Sequence, residues 1–230
     1  MVMNIQPAGN FANQFGVKSI IYGPPGIGKT PLMNTAPRPI LLACEPGLLS
    51  MRGSGVMTQA AATPADIEEF FKWLWSSAEA KNYDTVGIDS GSQLAELILG
   101  EELSKKSSSG KKVDGKAAYG EMSNRVMVYM NGLYYTREKH VVILCKQGSV
   151  EENGFEKRRP FFPGKDLNVK IPHLFDEILH YAKANVPGHG EVKALRAAET
   201  YDIAARDRSG RLAELEQPDL TLLFNKILQG

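Results

Sequence analysis

Cysteine is scarce. Cys44 and Cys145 are the only two in 230 residues, and each ends an apolar, strand-like run. Each is therefore expected to pack as a small buried thiol, which excludes a disulfide framework and fits a reducing compartment. The four histidines, His140, His173, His180 and His189, are scattered. No His/Cys/carboxylate group has zinc spacing, and no Gly-x-Ser-x-Gly elbow occurs, so the common zinc and serine-hydrolase chemistries are excluded. No apolar run approaches the ~20 residues of a membrane span. Met1–Phe15 lacks both the charged and the apolar region of a secretory leader. A cytoplasmic chain with no membrane partner is the expectation. The remaining composition, 43% hydrophobic and 23% charged with a net charge of +1, is that of an ordinary globular domain.

The small net charge hides an uneven distribution. Residues 104–118 hold five lysines against one aspartate, and residues 146–170 hold six Lys/Arg against four Asp/Glu. The rest of the chain is mildly acidic, so two segments carry the positive charge.

Residues 23–30 read Gly-Pro-Pro-Gly-Ile-Gly-Lys-Thr, a complete G-x-x-x-x-G-K-[ST] phosphate loop. It follows the apolar run Ser19-Ile20-Ile21-Tyr22 and precedes a short stretch able to form a helix. That strand–loop–helix setting lets backbone N–H groups surround phosphate oxygens, with a helix N-terminus behind them. The expected nucleotide contacts are Gly23, Pro24, Pro25, Gly26, Ile27, Gly28, Lys29, Thr30 and Pro31. Lys29 is expected on the β/γ-phosphates and Thr30 on Mg²⁺, which makes ATP and Mg²⁺ the expected cofactors.

Strands alternate with helical stretches. Strands are expected at Val17–Tyr22, Pro39–Cys44, Tyr83–Asp89 and His140–Cys145. Helices are expected from Thr63 to about Lys81, over Gln93–Leu103, over Tyr119–Lys139 and over Asp219–Leu228. Ile67, Phe70, Phe71 and Leu74 form the buried stripe of the first of these helices; Trp73 and Trp75 read as packing residues. Ser104–Ala118, rich in Ser, Gly and Lys, reads as a mobile loop. Glu152-Asn153-Gly154 reads as a hairpin turn. Shorter strands are expected at Glu177–Ala182, Val192–Ala197 and Tyr201–Ala205. The alternation predicts an α/β fold with a mainly parallel sheet flanked by helices and a C-terminal antiparallel extension. Residues 1–16 form an arm in which Phe11 or Phe15 can anchor a neighbour, and residues 17–230 form a single domain.

Two carboxylates stand where the nucleotide would need them. Tyr83-Asp84-Thr85-Val86-Gly87-Ile88-Asp89-Ser90 is a buried strand ending in an acid, so Asp89 is expected to hold Mg²⁺. Glu45 closes the second strand, at the end that faces the ligand crevice of an open parallel sheet, where a carboxylate can activate water.

Together these pieces resemble the RecA/recombinase branch of P-loop ATPases. In that branch the catalytic Glu ends the strand after the phosphate-loop helix, as Glu45 does, and the acid strand ends in Asp-Ser, as Asp89-Ser90 does. AAA+ enzymes instead usually place their water-activating Glu where Ser90 stands. In the recombinases the strand after the long helix ends in a Gln that senses the γ-phosphate and begins a DNA-binding loop. Gln147 occupies that place here, preceded by Lys146 instead of the usual Asn. The resemblance is closer still to short bacteriophage-encoded RecA-like ATPases, sometimes grouped as an AAA-domain family, some of which anneal single strands. Glu45-Pro46-Gly47, Pro163-Gly164-Lys165, Ile171-Pro172-His173-Leu174-Phe175-Asp176 and the basic run Arg206-Asp207-Arg208-Ser209-Gly210-Arg211-Leu212 follow in that family's order.

This resemblance implies a DNA-stimulated ATPase that binds single-stranded DNA as a homo-oligomeric ring or filament in the cytoplasm of a bacterial host. A single-strand-binding protein is a further implied partner. Arg206 and Arg208 are implied to act as fingers in a neighbour's ATP site. DNA contacts are expected from Lys105, Lys106, Lys111, Lys112 and Lys116 in loop 104–118. They are also expected from Lys157, Arg158, Arg159 and Phe161 in loop 147–164, where lysines follow the backbone and rings stack on bases. Two rival readings remain open: a small-molecule or nucleotide kinase using the Lys/Ser loop as a lid, and an ATP-switched DNA-binding or loading module with negligible turnover.

Overall fold

The computed structural model describes residues 5–12, 14–105, 114–152 and 154–229. The chain opens with a short helix α1 (Ala8–Ala12) and strand β1 (Lys18–Gly23), whose six residues are all buried. After the phosphate loop come α2 (Lys29–Leu32), one 3-10 turn, and β2 (Pro39–Ala43). Strand β3 (Met57–Ala60) leads to α3 (Pro64–Ser76), then β4 (Thr85–Asp89), α4 (Gly91–Ser104) and α5 (Gly115–Tyr135). The second half holds β5 (His140–Glu152), β6 (Phe155–Pro160), α6 (Leu167–Leu174), β7 (Glu177–Val186) and β8 (Gly190–Arg196). It ends with β9 (Arg206–Asp207), β10 (Leu215–Glu216) and α7 (Leu220–Leu228).

The strand order is β10-β8-β7-β1-β5-β4-β2-β3, with β6 on β5 and β9 on β7. The run β7-β1-β5-β4-β2-β3 is parallel throughout, and β8, β9, β10 and β6 add antiparallel. This is the expected α/β fold: a mainly parallel sheet flanked by helices, with a C-terminal antiparallel extension. Alternate residues of each strand feed opposite faces. Ile20, Tyr22, Ile143 and Cys145 pack beneath α3, α4 and α5, while Ile21, Leu144 and Tyr181 pack against α2 and α7.

Helix α3 begins where its sequence says it should. Thr63 Oγ1 accepts from Asp66 N, the Asp66 carboxylate accepts in turn from Thr63 N, and Pro64 takes the first turn. Ile67, Phe70, Phe71 and Leu74 are its buried residues. Phe71 is stacked between Tyr129 and Trp75, at 4.4 and 5.1 Å between ring centroids, and Trp73 packs on Phe70 and Tyr83. Both tryptophans are thus used within the chain.

Several expectations need correction. Strand β3 and helix α6 were not legible. Residues 201–205 form isolated bridges, Thr200 to Ile203 and Arg158 to Ile203, and the strand lies one step later as β9. Helix α3 stops at Ser76, and a 3-10 turn over Glu79–Asn82 completes the span to the next strand. At the edges of loop 104–118, α4 reaches Ser104 and α5 already begins at Gly115, while residues 106–113 lie outside the described residues. Segment 147–164, by contrast, holds the expected hairpin, Gln147 facing Pro160 through Glu152 facing Phe155, with Asn153 outside the described residues.

Candidate nucleotide site

The site grows from the C-terminal ends of β1, β2, β4 and β5. Gly23 closes β1 against β7: a Cβ there would lie 2.0 Å from Tyr181 O. Gly26 and Gly28 have φ of 75° and 108°, the left-handed region in which successive backbone N–H groups form a concave anion nest at little cost for glycine. Lys29 Nζ folds over this loop and donates to Gly23 O at 2.8 Å and Pro24 O at 3.0 Å. Burial pushes the Lys29 ammonium down from its ordinary value, and the carboxylates of Asp89 and Glu45 oppose that shift.

Thr30 Oγ1 donates to Asp89 Oδ2 at 2.5 Å, joining the first helical turn to the end of β4. Asp89 is buried. Burial raises its carboxyl, the Thr30 bond lowers it, Glu45 raises it, and Lys29 lowers it; the net shift is upward. A buried carboxylate disfavoured in this way gains from a nearby cation. Thr30 and Asp89 are two hard oxygen donors, and no cluster of three or more His, Cys, Asp or Glu suited to a metal occurs among the described residues. That sparse donor set fits Mg²⁺, which keeps several waters and takes phosphate oxygens as further ligands.

Glu45 follows β2 and is held from two directions. Cys44 N and Glu45 N donate to Asp89 O at 2.6 and 3.3 Å, and Ser90 Oγ donates to Glu45 Oε1 at 2.5 Å. Ser90 also caps α4, accepting from Gln93 N at 3.1 Å. Ser90, which stands where AAA+ enzymes usually carry a glutamate, therefore orients the Glu45 carboxylate. Gln147 lies within β5, and its Oε1 is 2.9 Å from His180 Nε2. Lys146, its neighbour, reaches Gln93 Oε1 at 2.8 Å and Glu96 Oε2 at 2.6 Å.

These residues surround one cavity of about 540 Å³, lined by Gly23, Pro25, Gly26, Gly28, Lys29, Thr30, Pro31, Glu45, Asp89, Lys146 and Gln147, with Gly47 and Ser50. Residues far apart in sequence are brought together because β5 and β4 separate β1 from β2 in the sheet.

Arg206 and Arg208 are elsewhere. Arg206 Nη2 donates to Pro172 O and Phe175 O at the end of α6, and Arg208 reaches His173 O at 2.7 Å and Asp176 at 3.1 Å. Strands β1 and β7 are parallel with Ser19 opposite Glu177, so this region sits at the opposite end of β1 from the phosphate loop. Within one chain neither arginine reaches the cavity.

The expected DNA residues are also partly engaged. Lys157 pairs with Glu199 at 2.5 Å and Glu152 at 3.5 Å, and Arg158 pairs with Asp202. Lys105 pairs with Glu102 at 2.7 Å. Lys116 is exposed in the first turn of α5, and Arg159 is half-buried on β6. Phe161 lies over Gly148, where a Cβ would meet its ring at 3.2 Å. Lys106, Lys111 and Lys112 lie outside the described residues.

Three residues of the site escaped sequence reasoning: Ser90 as the Glu45 partner, His180, and Lys193. Lys193 on β8 brings its Nζ to 3.4 Å from where a Gly28 Cβ would be. Only the strand pairing of β7 with β8 reveals that proximity; nothing in the local sequence signals it.

Residues 16–209 match the family described as AAA domain, AAA_24. The chain belongs to this AAA-domain family. The match spans every element that contributes to the cavity. No curated protein matches the sequence. Among solved structures, a KaiC-like protein from Pyrococcus horikoshii aligns over 84% of this AAA-domain chain and 82% of its own, at 9% identity and a TM-score of 0.43. The RadB recombinase aligns over 82% and 84%, at 14% identity and 0.44. The flagellar accessory protein FlaH from Methanocaldococcus jannaschii aligns over 80% and 78%, at 10% identity and 0.38. No helix among the described residues is long and apolar enough to cross a membrane.

Proposed function

We propose that this AAA-domain protein binds and hydrolyses ATP with Mg²⁺, and couples that cycle to binding single-stranded DNA for annealing or strand pairing. The observation that carries the proposal is the convergence of Lys29, Thr30, Asp89, Glu45 and Gln147 on one cavity. A bound Mg²⁺–ATP would supply the electrophilic phosphorus and the cation that neutralises its charge. Lys29 and the loop amides hold phosphate oxygens. Thr30 and Asp89 hold the cation. Glu45, oriented by Ser90, accepts a proton from water, and Gln147 reads the terminal phosphate.

In a ring or filament, a neighbour's arginine completes the charge balance. Arg206 would have to leave two backbone carbonyls that it caps, whereas Arg208 would leave one carbonyl and a more exposed ion pair. Arg208 is the finger we favour. Support for DNA binding comes from continuity: Gln147 is the first paired residue of the β5–β6 hairpin, which also carries Arg159 and leads to Phe161. A phage origin, a bacterial host cytoplasm and a single-strand-binding partner belong to the same proposal through the family resemblance.

Replacing Glu45 with Gln tests the hydrolytic role. Turnover should fall by about 10²–10⁴-fold, with nucleotide affinity retained; an unchanged rate removes Glu45 from the mechanism and favours the switch reading. Fluorescent oligo(dT) titrations across salt test the DNA role. Affinity should fall steeply with salt in the wild type and drop in a Lys105/Lys106/Lys111/Lys112→Ala variant. Wild-type protein that shows no salt-dependent binding would refute it.

A further inference from the structure

We infer that His180 is the positioning residue of the terminal-phosphate sensor, holding the Gln147 amide with its nitrogen toward the nucleotide cavity. The inference rests on the reading of Gln147 as that sensor. An amide side chain presents a carbonyl at one end and two N–H donors at the other. Facing an anionic phosphate, only the N–H end attracts; a flipped amide would aim its oxygen at the anion. Selecting between the two orientations requires a partner on the far side of the amide.

His180 is that partner. It lies on β7, in register with Tyr22 on β1, which is in register with Cys145 on β5. Gln147 is two residues beyond Cys145, so period-2 alternation places the two side chains on the same face of the sheet. Nε2 of His180 stands 2.9 Å from Oε1 of Gln147. His180 is only 3% exposed. Burial, with Arg158 and Arg196 nearby, lowers its pKa to about 4, so the imidazole is neutral near pH 7 and carries one N–H. With that proton on Nε2, His180 donates to the Gln147 carbonyl and leaves the amide nitrogen to the cavity that Gln147 lines.

The imidazole is itself held. Its ring packs on Tyr22 with centroids 4.9 Å apart. The Tyr22 hydroxyl donates to Arg158 O and Ala204 O, at 3.0 and 2.7 Å. Arg158 N donates to Asp202 O at 2.8 Å, and Ala204 N returns a bond to Arg158 O at 2.9 Å. The ring that packs on His180 is therefore braced by the middle of β6, in the hairpin that extends from Gln147, and by the segment 202–204. A long-range hydrogen bond fixes an orientation that a lone Gln side chain would lose to rotation.

The test compares nucleotides that differ at the terminal phosphate. Affinities for ATPγS and ADP are measured by fluorescent-nucleotide competition, with Mg²⁺, for wild type, Gln147→Ala, His180→Leu, His180→Gln and the Gln147→Ala/His180→Leu pair. A Gln at 180 still offers an N–H and serves as the conservative rescue. Loss of one hydrogen bond to a charged group corresponds to about a tenfold change. The preference for ATPγS over ADP should therefore drop about tenfold in Gln147→Ala and in His180→Leu. It should drop no further in the double variant and should largely return in His180→Gln. ADP affinity should be unchanged throughout.

If Gln147→Ala leaves the preference intact, the sensor reading itself fails. If Gln147→Ala lowers the preference while His180→Leu does not, only the positioning role fails. Additive losses in the double variant, or a matching loss of ADP affinity in His180→Leu, would mean that the imidazole merely supports packing and would also overturn the inference. Thermal melting of each variant identifies any that do not fold, and His180→Gln, the nearest in size and polarity, then decides the outcome through its own pairing with Gln147→Ala.

Discussion

Gly23 and Gly26 belong to the same phosphate loop but are glycines for different reasons. At Gly23 a Cβ would collide with Tyr181 O at 2.0 Å, and that oxygen belongs to a buried strand that cannot yield easily. At Gly26 no atom lies within 4 Å of the added carbon, and only the left-handed φ of 75° resists a side chain. Gly23→Ala should cost about 3 kcal/mol and Gly26→Ala about 1 kcal/mol, as read by chemical denaturation. Asp89 offers a second residue-scale prediction. Its carboxyl is raised chiefly by burial, so the ionised form is held against its preference. Asp89→Asn should keep or raise the stability of the protein alone, yet lower Mg²⁺-dependent nucleotide affinity by about tenfold or more. Melting curves and nucleotide titrations with and without Mg²⁺ check the two halves separately.

At the scale of elements, β9 is only two residues long and is tied to β7 by an acid pair. Glu177 faces Asp207 across the strands. Burial, followed by the charge of Asp207, pushes Glu177 up to about 8. Asp207 accepts from Ser209 N, Gly210 N and Leu212 N at 2.8, 3.1 and 2.9 Å. It is lowered despite burial, so the proton stays on Glu177. The folded value lies above the ordinary 4.5, so the folded chain binds this proton more tightly than the unfolded chain. The resulting stabilisation is complete below about pH 4.5 and is lost as pH rises through about 8. Glu177→Gln keeps the shape and a donor but removes the titration. Relative to wild type it should gain melting temperature steadily between pH 5 and pH 9, whereas a constant difference would show that Glu177 does not titrate there. The capping box of α3 gives a simpler case: Thr63→Ala should cost about 1 kcal/mol.

For the molecule as a whole, a nucleotide that binds only the folded chain must raise its melting temperature. At a hundredfold excess over Kd the gain is about 2.7 kcal/mol, or roughly 5–10 °C for a chain of this size. ATPγS with Mg²⁺ should produce it, and Lys29→Ala should abolish it, as followed by a thermal shift assay. How much of this molecule was legible beforehand depended on distance along the chain. The buried runs of β1, β2, β4 and β5 were visible because strands covered on both faces are continuously apolar. Strand β3 was not, because all four of its residues are exposed and it shows no apolar period. Helix α6 was hidden by Pro172 within its last turn. The phosphate loop is contiguous, so its eight residues and their backbone freedom determined a phosphate site without help from the rest of the chain. Glu45 was legible as a candidate from its place at the end of the second strand, Gln147 only through the family resemblance, and the strand order brings both to one cavity. Only the tertiary structure decided that Ser90 holds Glu45, that His180 faces Gln147 across 33 residues, and that Arg206 is spent on the end of α6. Each of these is a pairing between separate elements, and such pairings depend on sheet register, which short-range pattern does not encode.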